Sequence, residues 1–269
     1  MVQITLVGAG NMGFAMLRKW MTDTSYSFAV VEPNDALRAR VEAAGIGSYA
    51  SADALPAGHK ADVVVIATKP QTVGEVAERY SLVLKSGGLF ISVAAGVGIQ
   101  TIAERTGNEF AVIRSMPNTP AAIGEGMTVC YAGERVGASH RNLATELLSS
   151  IGKVAFVEDE KEMDAVTAVS GSGPAYLFHF IEALAVAANS AGLDEGLALQ
   201  LAKQTIYGAA KLALDSIETP AALRQQVTSP NGTTAAALNV LMREDGGLFA
   251  LLNEAVAAAK ERSIQLREA

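Results

Sequence analysis

Three glycines, Gly8, Gly10 and Gly13, stand in the run Leu6-Val7-Gly8-Ala9-Gly10-Asn11-Met12-Gly13, with an apolar stretch at 4–7 ahead of them and a helical pattern behind. That order suits a strand, a tight turn and a helix. In such a unit the first glycine permits the turn and the second lets a pyrophosphate approach the backbone. The third lets helix and strand pack closely, while the helix start offers unpaired N–H groups to the phosphates. Glu32 closes the next apolar run, 28–31, about where an acid would meet an adenosine ribose. Together these residues, with Asn11 and Met12 at the helix start, predict a dinucleotide site; a tight turn without a ligand is the competing reading.

A second kind of chemistry is written into residues 223–238, where one helix ends and another begins. Ser229, Pro230, Asn231 and Gly232 read as a turn, and Thr233 or Thr234 as the N-cap of the following helix. Backbone N–H groups and two hydroxyls at a helix start form a small anion site, suited to a carboxylate. An ordinary capped helix connection explains the same residues. Ser170-Gly171-Ser172-Gly173-Pro174 reads as another turn, with Ser172 as cap and Pro174 at the first helical position. In Arg114-Ser115-Met116-Pro117-Asn118-Thr119-Pro120 two prolines stiffen a loop after a strand, where Asn118 could hold a carboxamide or a nicotinamide ribose; a rigid turn alone also explains the prolines.

Other reactive residue types fall outside these motifs. Cys130 is the single cysteine, which excludes an intrachain disulfide, and its strand-like neighbours mark it as small core filler. His59, His140 and His179 read as solvated or packed rings, Lys203 and Lys211 as the wet face of a long helix, and Trp20 as packing. No metal is expected.

The elements that must position these residues follow from the apolar pattern. Runs at 4–7, 28–31, 63–67, 89–93, 111–113, 127–131 and 154–157 alternate with helical stretches, which predicts a largely parallel sheet covered on both faces. Ligands of such sheets bind beyond the carboxyl ends of the strands, which directs attention to 8–13, 68–70, 94–96 and 116–118. From Lys161 the chain turns alanine- and leucine-rich, with helices expected at 163–169, 175–191, 195–216, 221–227, 233–243 and 248–267. The expected organisation is therefore an α/β Rossmann-type doubly wound sheet over 1–160, followed by an all-α dimerisation domain over 161–269. The 175–191 helix is apolar nearly all round, more than about a hundred residues can cover, so a symmetric dimer with interleaved helices is predicted.

Composition agrees. The chain has 269 residues, half of them hydrophobic, and a net charge of −7 without a basic run, which argues against a nucleic-acid partner. The start lacks a positively charged segment, so no secretory signal is expected and the cytoplasm is the default. The stretches 86–103, which is uncharged, and 166–193, interrupted only by Glu182, are broken by glycines and a proline and are not expected to enter a membrane.

The glycine turn, Ala67-Thr68-Lys69-Pro70, Ser92-Val93-Ala94-Ala95-Gly96, Met116-Pro117-Asn118, Ala168-Val169-Ser170-Gly171-Ser172-Gly173-Pro174-Ala175-Tyr176 and the loop 229–234, in that order, resemble the pyrroline-5-carboxylate reductases along the whole chain. The resemblance implies reduction of the ring C=N of 1-pyrroline-5-carboxylate by NADPH or NADH, giving L-proline in the last step of proline biosynthesis. It places Thr68, Lys69 and Pro70 beside the adenosine and pyrophosphate, and Ala95 and Asn118 toward the nicotinamide. Ser172 joins Ser229, Asn231, Gly232, Thr233 and Thr234 around the substrate, with backbone amides on its carboxylate and Thr234, the catalytic residue, near the ring nitrogen. A homodimer, with a ring of dimers beyond it, is implied too. Where the family usually carries two glycines after the proline, this chain has Asn231-Gly232; asparagine is the least costly substitute if positive φ is needed. Another Rossmann imine or β-hydroxyacid reductase and a non-catalytic dinucleotide sensor are the alternative readings. Glu32-Pro33-Asn34-Asp35 favours NADH, since a carboxylate repels a 2′-phosphate, unless Arg38 or Arg40 swings in to offset it.

Overall fold

The computed structural model describes residues 1–268. Its sheet contains β1 (Val2–Val7), β2 (Tyr26–Val31), β3 (Ser48–Tyr49), β4 (Ala61–Ile66), β5 (Leu84–Ser92), β6 (Ala111–Met116), β7 (Gly126–Ala132) and β8 (Gly152–Val157). Their spatial order is β3-β2-β1-β4-β5-β6-β7-β8. All are parallel through β6, β7 runs antiparallel to β6, and β8 is parallel to β7. Helices α1 (Asn11–Trp20), α2 (Asp35–Ala43), α3 (Val73–Ser81), α4 (Ile99–Arg105) and α5 (Ala138–Ser149) provide the cover.

Both faces of the central strands are buried, which is why they read as unbroken apolar runs rather than alternating ones. The alternation shows in what each residue packs against: Leu6, Val63 and Val65 join Met16, Leu17 and Trp20 on one face, while Val7, Val64 and Ile66 join Val73, Phe90 and Ile102 on the other. Val7 pairs with both Val31 and Ile66, and Ile66 with Ser92, so the carboxyl ends of β2, β1, β4 and β5 finish side by side. Strand order reverses between β1 and β4, the switch point where such sheets leave a crevice.

The sequence pattern missed β3, which is too short to show a period. It also started β5 late. Gly87 and Gly88 form a bulge within that strand, between the pairs Ala61–Leu84 and Val63–Leu89, instead of ending it.

The chain forms two compact units, Met1–Ser172 joined by the stretch from Ala259, and Gly173–Ala258. The last strand ends at Val157, and the first unit keeps α6 (Glu162–Val166) and the π-helical turn Thr167–Gly171. It also takes back the end of the chain. Buried Asp164 accepts hydrogen bonds from Ser263 Oγ at 2.8 Å and Arg267 Nη1 at 2.7 Å.

The second unit holds α7 (Gly173–Ser190), α8 (Glu195–Asp215), α9 (Pro220–Gln226), α10 (Thr233–Leu241) and the start of α11 (Leu248–Glu268). Within α7 to α10, Ala198 and Ala202 are the buried residues, whereas Phe178, Val186, Tyr207 and Leu214 are exposed. Apolar surface on this scale is what a subunit interface requires. None of the described helices is long and apolar enough to cross a membrane.

Candidate active site

The three glycines of the first turn do three different things. Gly8 has φ +95°, and a Cβ there would meet the Ala67 carbonyl oxygen at 2.5 Å. A Cβ on Gly13 would come within 2.2 Å of the Gly8 carbonyl oxygen, so this glycine lets α1 sit against the strand end. Above Gly10 there is nothing within 4 Å of where a Cβ would be. Gly10 is also the N-cap of α1, with no capping side chain and no acid in the first turn. The helix start at Asn11, Met12 and Gly13 therefore presents backbone N–H groups and the positive end of its dipole to open space, which fits a pyrophosphate.

Two side chains from β2 and α2 hold this turn by opposite polarities. Glu32 accepts the Ala9 N–H at 2.8 Å and the Asn34 N–H at 2.8 Å. Arg40, expected as a possible partner for a 2′-phosphate, instead donates to the Ala9 and Gly10 carbonyls while its guanidinium lies 4.1 Å over the Phe14 ring. The expectation of a Glu32 carboxylate free to face a ribose is thereby corrected: it is buried, and one lone pair on each oxygen is taken by backbone. Arg38 is engaged as well, bonding the Glu32 and Pro33 carbonyls at 2.9 Å and pairing with Asp35.

A cleft of about 670 Å³ opens over the carboxyl ends of β1, β2 and β4, lined by Gly8, Gly10, Glu32, Thr68 and Lys69, with Ala52, Arg79 and Tyr80 among its other walls. Those last three gave no sequence signal, because they belong to connections that only the sheet order brings to the crevice. Asn11 and Met12 line a smaller hollow of about 320 Å³ that also takes in Arg18 and Arg40. Pro70, Ala95 and Asn118 line neither. Ala95 lies half-buried beside Gly96, against which Leu266 of α11 packs. The same connection is held by Glu160, which accepts the Ile99 N–H at 2.9 Å and pairs with the buried Arg114 at 3.1 Å.

Asn118 is not available in the way expected. Its Nδ2 donates to the Ser170 carbonyl at 3.0 Å and its Oδ1 accepts the Met127 N–H at 2.9 Å, which leaves one N–H and one oxygen lone pair for anything else. The expected turn and cap at Ser170 to Pro174 are corrected too. Ser172 has helical angles, φ −86° and ψ −22°, and its N–H bonds the Thr167 carbonyl five residues back at 2.9 Å. The segment is a π turn between helices, not a break.

In the second unit, the Gly232 N–H donates to the Ser229 carbonyl at 3.1 Å, closing the expected turn. Asn231 has φ 58°, so asparagine does stand where left-handed backbone is required. Gly232, not Thr233 or Thr234, is the N-cap of α10, and it has no capping side chain. The correction has a backbone cause: the Gly232 N–H bonds the Ser229 carbonyl, so the turn closes at 232 and the helix begins at Thr233. Half-buried Thr234 and exposed Thr233 and Ser229 surround an uncapped helix start without an acid in its first turn.

The remaining reactive side chains stay out of both places. His59 bonds Thr5 Oγ1 at 2.8 Å, and burial holds its pKa below the usual histidine value. His140 is fixed between Gly137 and Gly87, and His179 lies exposed beside Glu182. Burial pushes the Cys130 thiol up to about 12. Lys203 is exposed and Lys211 pairs with Asp215 at 3.1 Å. Trp20 stacks on Phe28 and donates to the Leu147 carbonyl at 2.8 Å.

Residues 160–266 match the family described as pyrroline-5-carboxylate reductase dimerisation, and residues 3–96 match NADP oxidoreductase, coenzyme F420-dependent. The chain is 38% identical to the pyrroline-5-carboxylate reductase of Pseudomonas aeruginosa, covering 99% of this chain and 97% of that protein. It is 40% identical to that of Pisum sativum, over 97% and 94%. Among solved structures, a pyrroline-5-carboxylate reductase from Coxiella burnetii superposes with a TM-score of 0.90 at 34% identity, covering 98% of both chains. The Plasmodium falciparum pyrroline carboxylate reductase with NADP bound gives 0.83 at 28% identity, over 99% and 98%.

Proposed function

The chain belongs to the pyrroline-5-carboxylate reductase family, and from that premise we propose how its own residues share the work. It is an NAD(P)H-dependent oxidoreductase that reduces the ring C=N of 1-pyrroline-5-carboxylate to L-proline in proline biosynthesis, and it forms a homodimer through its helical half.

The open space above Gly10, between two glycines whose Cβ positions are filled, carries the reading of the first unit. Gly10, Asn11 and Met12 hold the pyrophosphate on backbone amides, with Gly8 and Gly13 shaping the turn. Thr68, Lys69 and Pro70 flank the adenosine half, where the Lys69 ammonium offsets phosphate charge. Glu32 takes a ribose hydroxyl with the accepting capacity left to it, and the loop of Ala95 borders the nicotinamide end. When bound, the reduced nicotinamide supplies a hydride for the imine carbon.

The second unit supplies charge complementarity. The uncapped start of α10 and the Asn231 and Gly232 amides hold the substrate carboxylate, with Ser229 and Thr233 hydroxyls beside it and Ser172 completing the substrate set. Thr234 holds the proton of the ring nitrogen through its hydroxyl. A protonated imine is already a good electrophile, so no carboxylate or imidazole is needed at this helix start, and the first turn of α10 has no acid. Interleaved helices bury the exposed faces of α7 and α8, dimers join into a ring, and the enzyme works in the cytoplasm with NADH preferred.

Cofactor oxidation measured with pyrroline carboxylate, and reduction of the oxidised cofactor with β-hydroxyacids, tests the assignment. Turnover of the cyclic imine alone is expected. Turnover of hydroxyacids alone would move the chain to the β-hydroxyacid class, and cofactor binding without any turnover would make it a sensor.

A further inference from the structure

Asn118 sits on the connection after β6, at the edge of the sheet where the parallel strands end, yet its side chain reaches to Ser170. In a regular helix the Ser170 carbonyl would accept the N–H of the residue four positions on. That residue is Pro174, which has no N–H. A backbone carbonyl deprived in this way must find another donor, and Asn118 Nδ2 is at 3.0 Å. The opposite end of the amide is fixed as well, because Oδ1 accepts the Met127 N–H, so the donor cannot swing away without breaking a second bond.

The neighbouring residues fit the same arrangement. Gly171 lies so close to Met116 that a Cβ there would be 2.5 Å from the methionine Cε. The Ser172 N–H takes the Thr167 carbonyl in a five-residue step, so the backbone is widened at this point and resumes as α7 at Gly173. Met116, at the end of β6, and Asn118, two residues on, thus grip the π turn by packing and by hydrogen bonding.

We propose that Asn118 is a positioning residue for the substrate side: it replaces the hydrogen bond that Pro174 removes, and so holds Ser172 and the widened turn in place relative to the sheet edge. The role deepens the reductase reading above and rests on its placement of Ser172 beside the substrate. Asn118 acts through the Ser170 carbonyl and not on the cofactor.

Asn118→Asp keeps an acceptor for Met127 but sets an oxygen against the Ser170 carbonyl. The full-length variant is expected to show a KM for pyrroline carboxylate raised about tenfold or more, with the Kd of the reduced cofactor, from fluorescence titration, within twofold of the parent. One lost hydrogen bond corresponds to about that change. Adding Pro174→Ala returns an N–H to the Ser170 carbonyl, and the double variant should recover most of the lost KM, or the fold itself if Asn118→Asp alone does not fold. A raised cofactor Kd with unchanged KM would make Asn118 a cofactor ligand and overturn the proposal, as would unchanged values for both, or no recovery in the double variant. Failure of the reductase reading shows separately, because the parent enzyme would then not turn over the imine.

Discussion

Gly10 and Gly13 lie three positions apart in one turn, yet substitution should separate cofactor binding from stability. Gly13→Ala places a Cβ 2.2 Å from the Gly8 carbonyl oxygen, a backbone atom that cannot rotate aside. Overpacking of this kind costs about 1–3 kcal/mol and occasionally more, which for a chain of this size lowers Tm by about 2–4 °C per kcal/mol. At Gly10 an added Cβ meets nothing within 4 Å, so Gly10→Val is expected to enter open space. The reduced freedom of the unfolded chain contributes about 0.4–1 kcal/mol of stability, and loss of glycine at an N-cap costs a similar amount, so Tm should barely move. The new side chain fills the space over the helix start, however. Loss of two charge-assisted hydrogen bonds to phosphate, about 1.5–3 kcal/mol each, weakens cofactor binding by about 10² to 10⁴. Calorimetry for Tm and fluorescence titration of the reduced cofactor give both numbers for each variant. A Gly10→Val protein that binds cofactor as tightly as the parent would refute the reasoning, and so would one that loses as much Tm as Gly13→Ala.

Thr234→Ala should lower kcat/KM for the imine by about 10- to 100-fold, as a hydrogen bond to a charged group is lost, with cofactor Kd unchanged; equal losses in both would place Thr234 elsewhere. Glu32→Gln should weaken NADH and NADPH alike by loosening the Ala9 grip and relax the NADH preference only modestly, read from kcat/KM ratios; a tenfold or greater advantage of NADPH in the parent enzyme would remove that preference altogether. Asp164→Ala removes the buried acceptor of Ser263 and of the partly exposed Arg267 and should cost about 1–3 kcal/mol in denaturant unfolding, a value near zero showing that the end of α11 does not depend on these bonds. The Cys130 thiol, held up to about 12, should resist alkylation at pH 8 in the folded protein and react once denaturant is added, and fast labelling of native protein would contradict its burial.

Local stereochemistry made some of these features readable from the chain alone. The roles of Gly8, Gly10 and Gly13 depend on atoms within one turn and an adjacent strand, and residue type is enough to state them. Asn231 was legible for the same reason, since few side chains tolerate its φ of 58°. The apolar runs predicted a sheet covered on both faces, and the circumference of α7 predicted a partner, because exposed or buried surface is a property of each residue's own side chain. What paired with what could be decided only by the fold. Glu32 with Ala9, Asn118 with Ser170, and Asp164 with Ser263 and Arg267 are hydrogen bonds between segments distant in sequence. No periodicity encodes such partners, because they depend on strand order and on where connections cross the sheet edge. Helix boundaries erred for a related reason: glycines and Pro174 signalled a break after Ser170, but a donor from another strand end satisfied the freed carbonyl and the helix continued as a π turn. At α10 the threonines suggested a cap, while the backbone hydrogen bond between residues 229 and 232 moved it to Gly232. Propensity ranks what a backbone segment prefers in isolation; tertiary hydrogen bonds and steric contacts decide which of those preferences is satisfied.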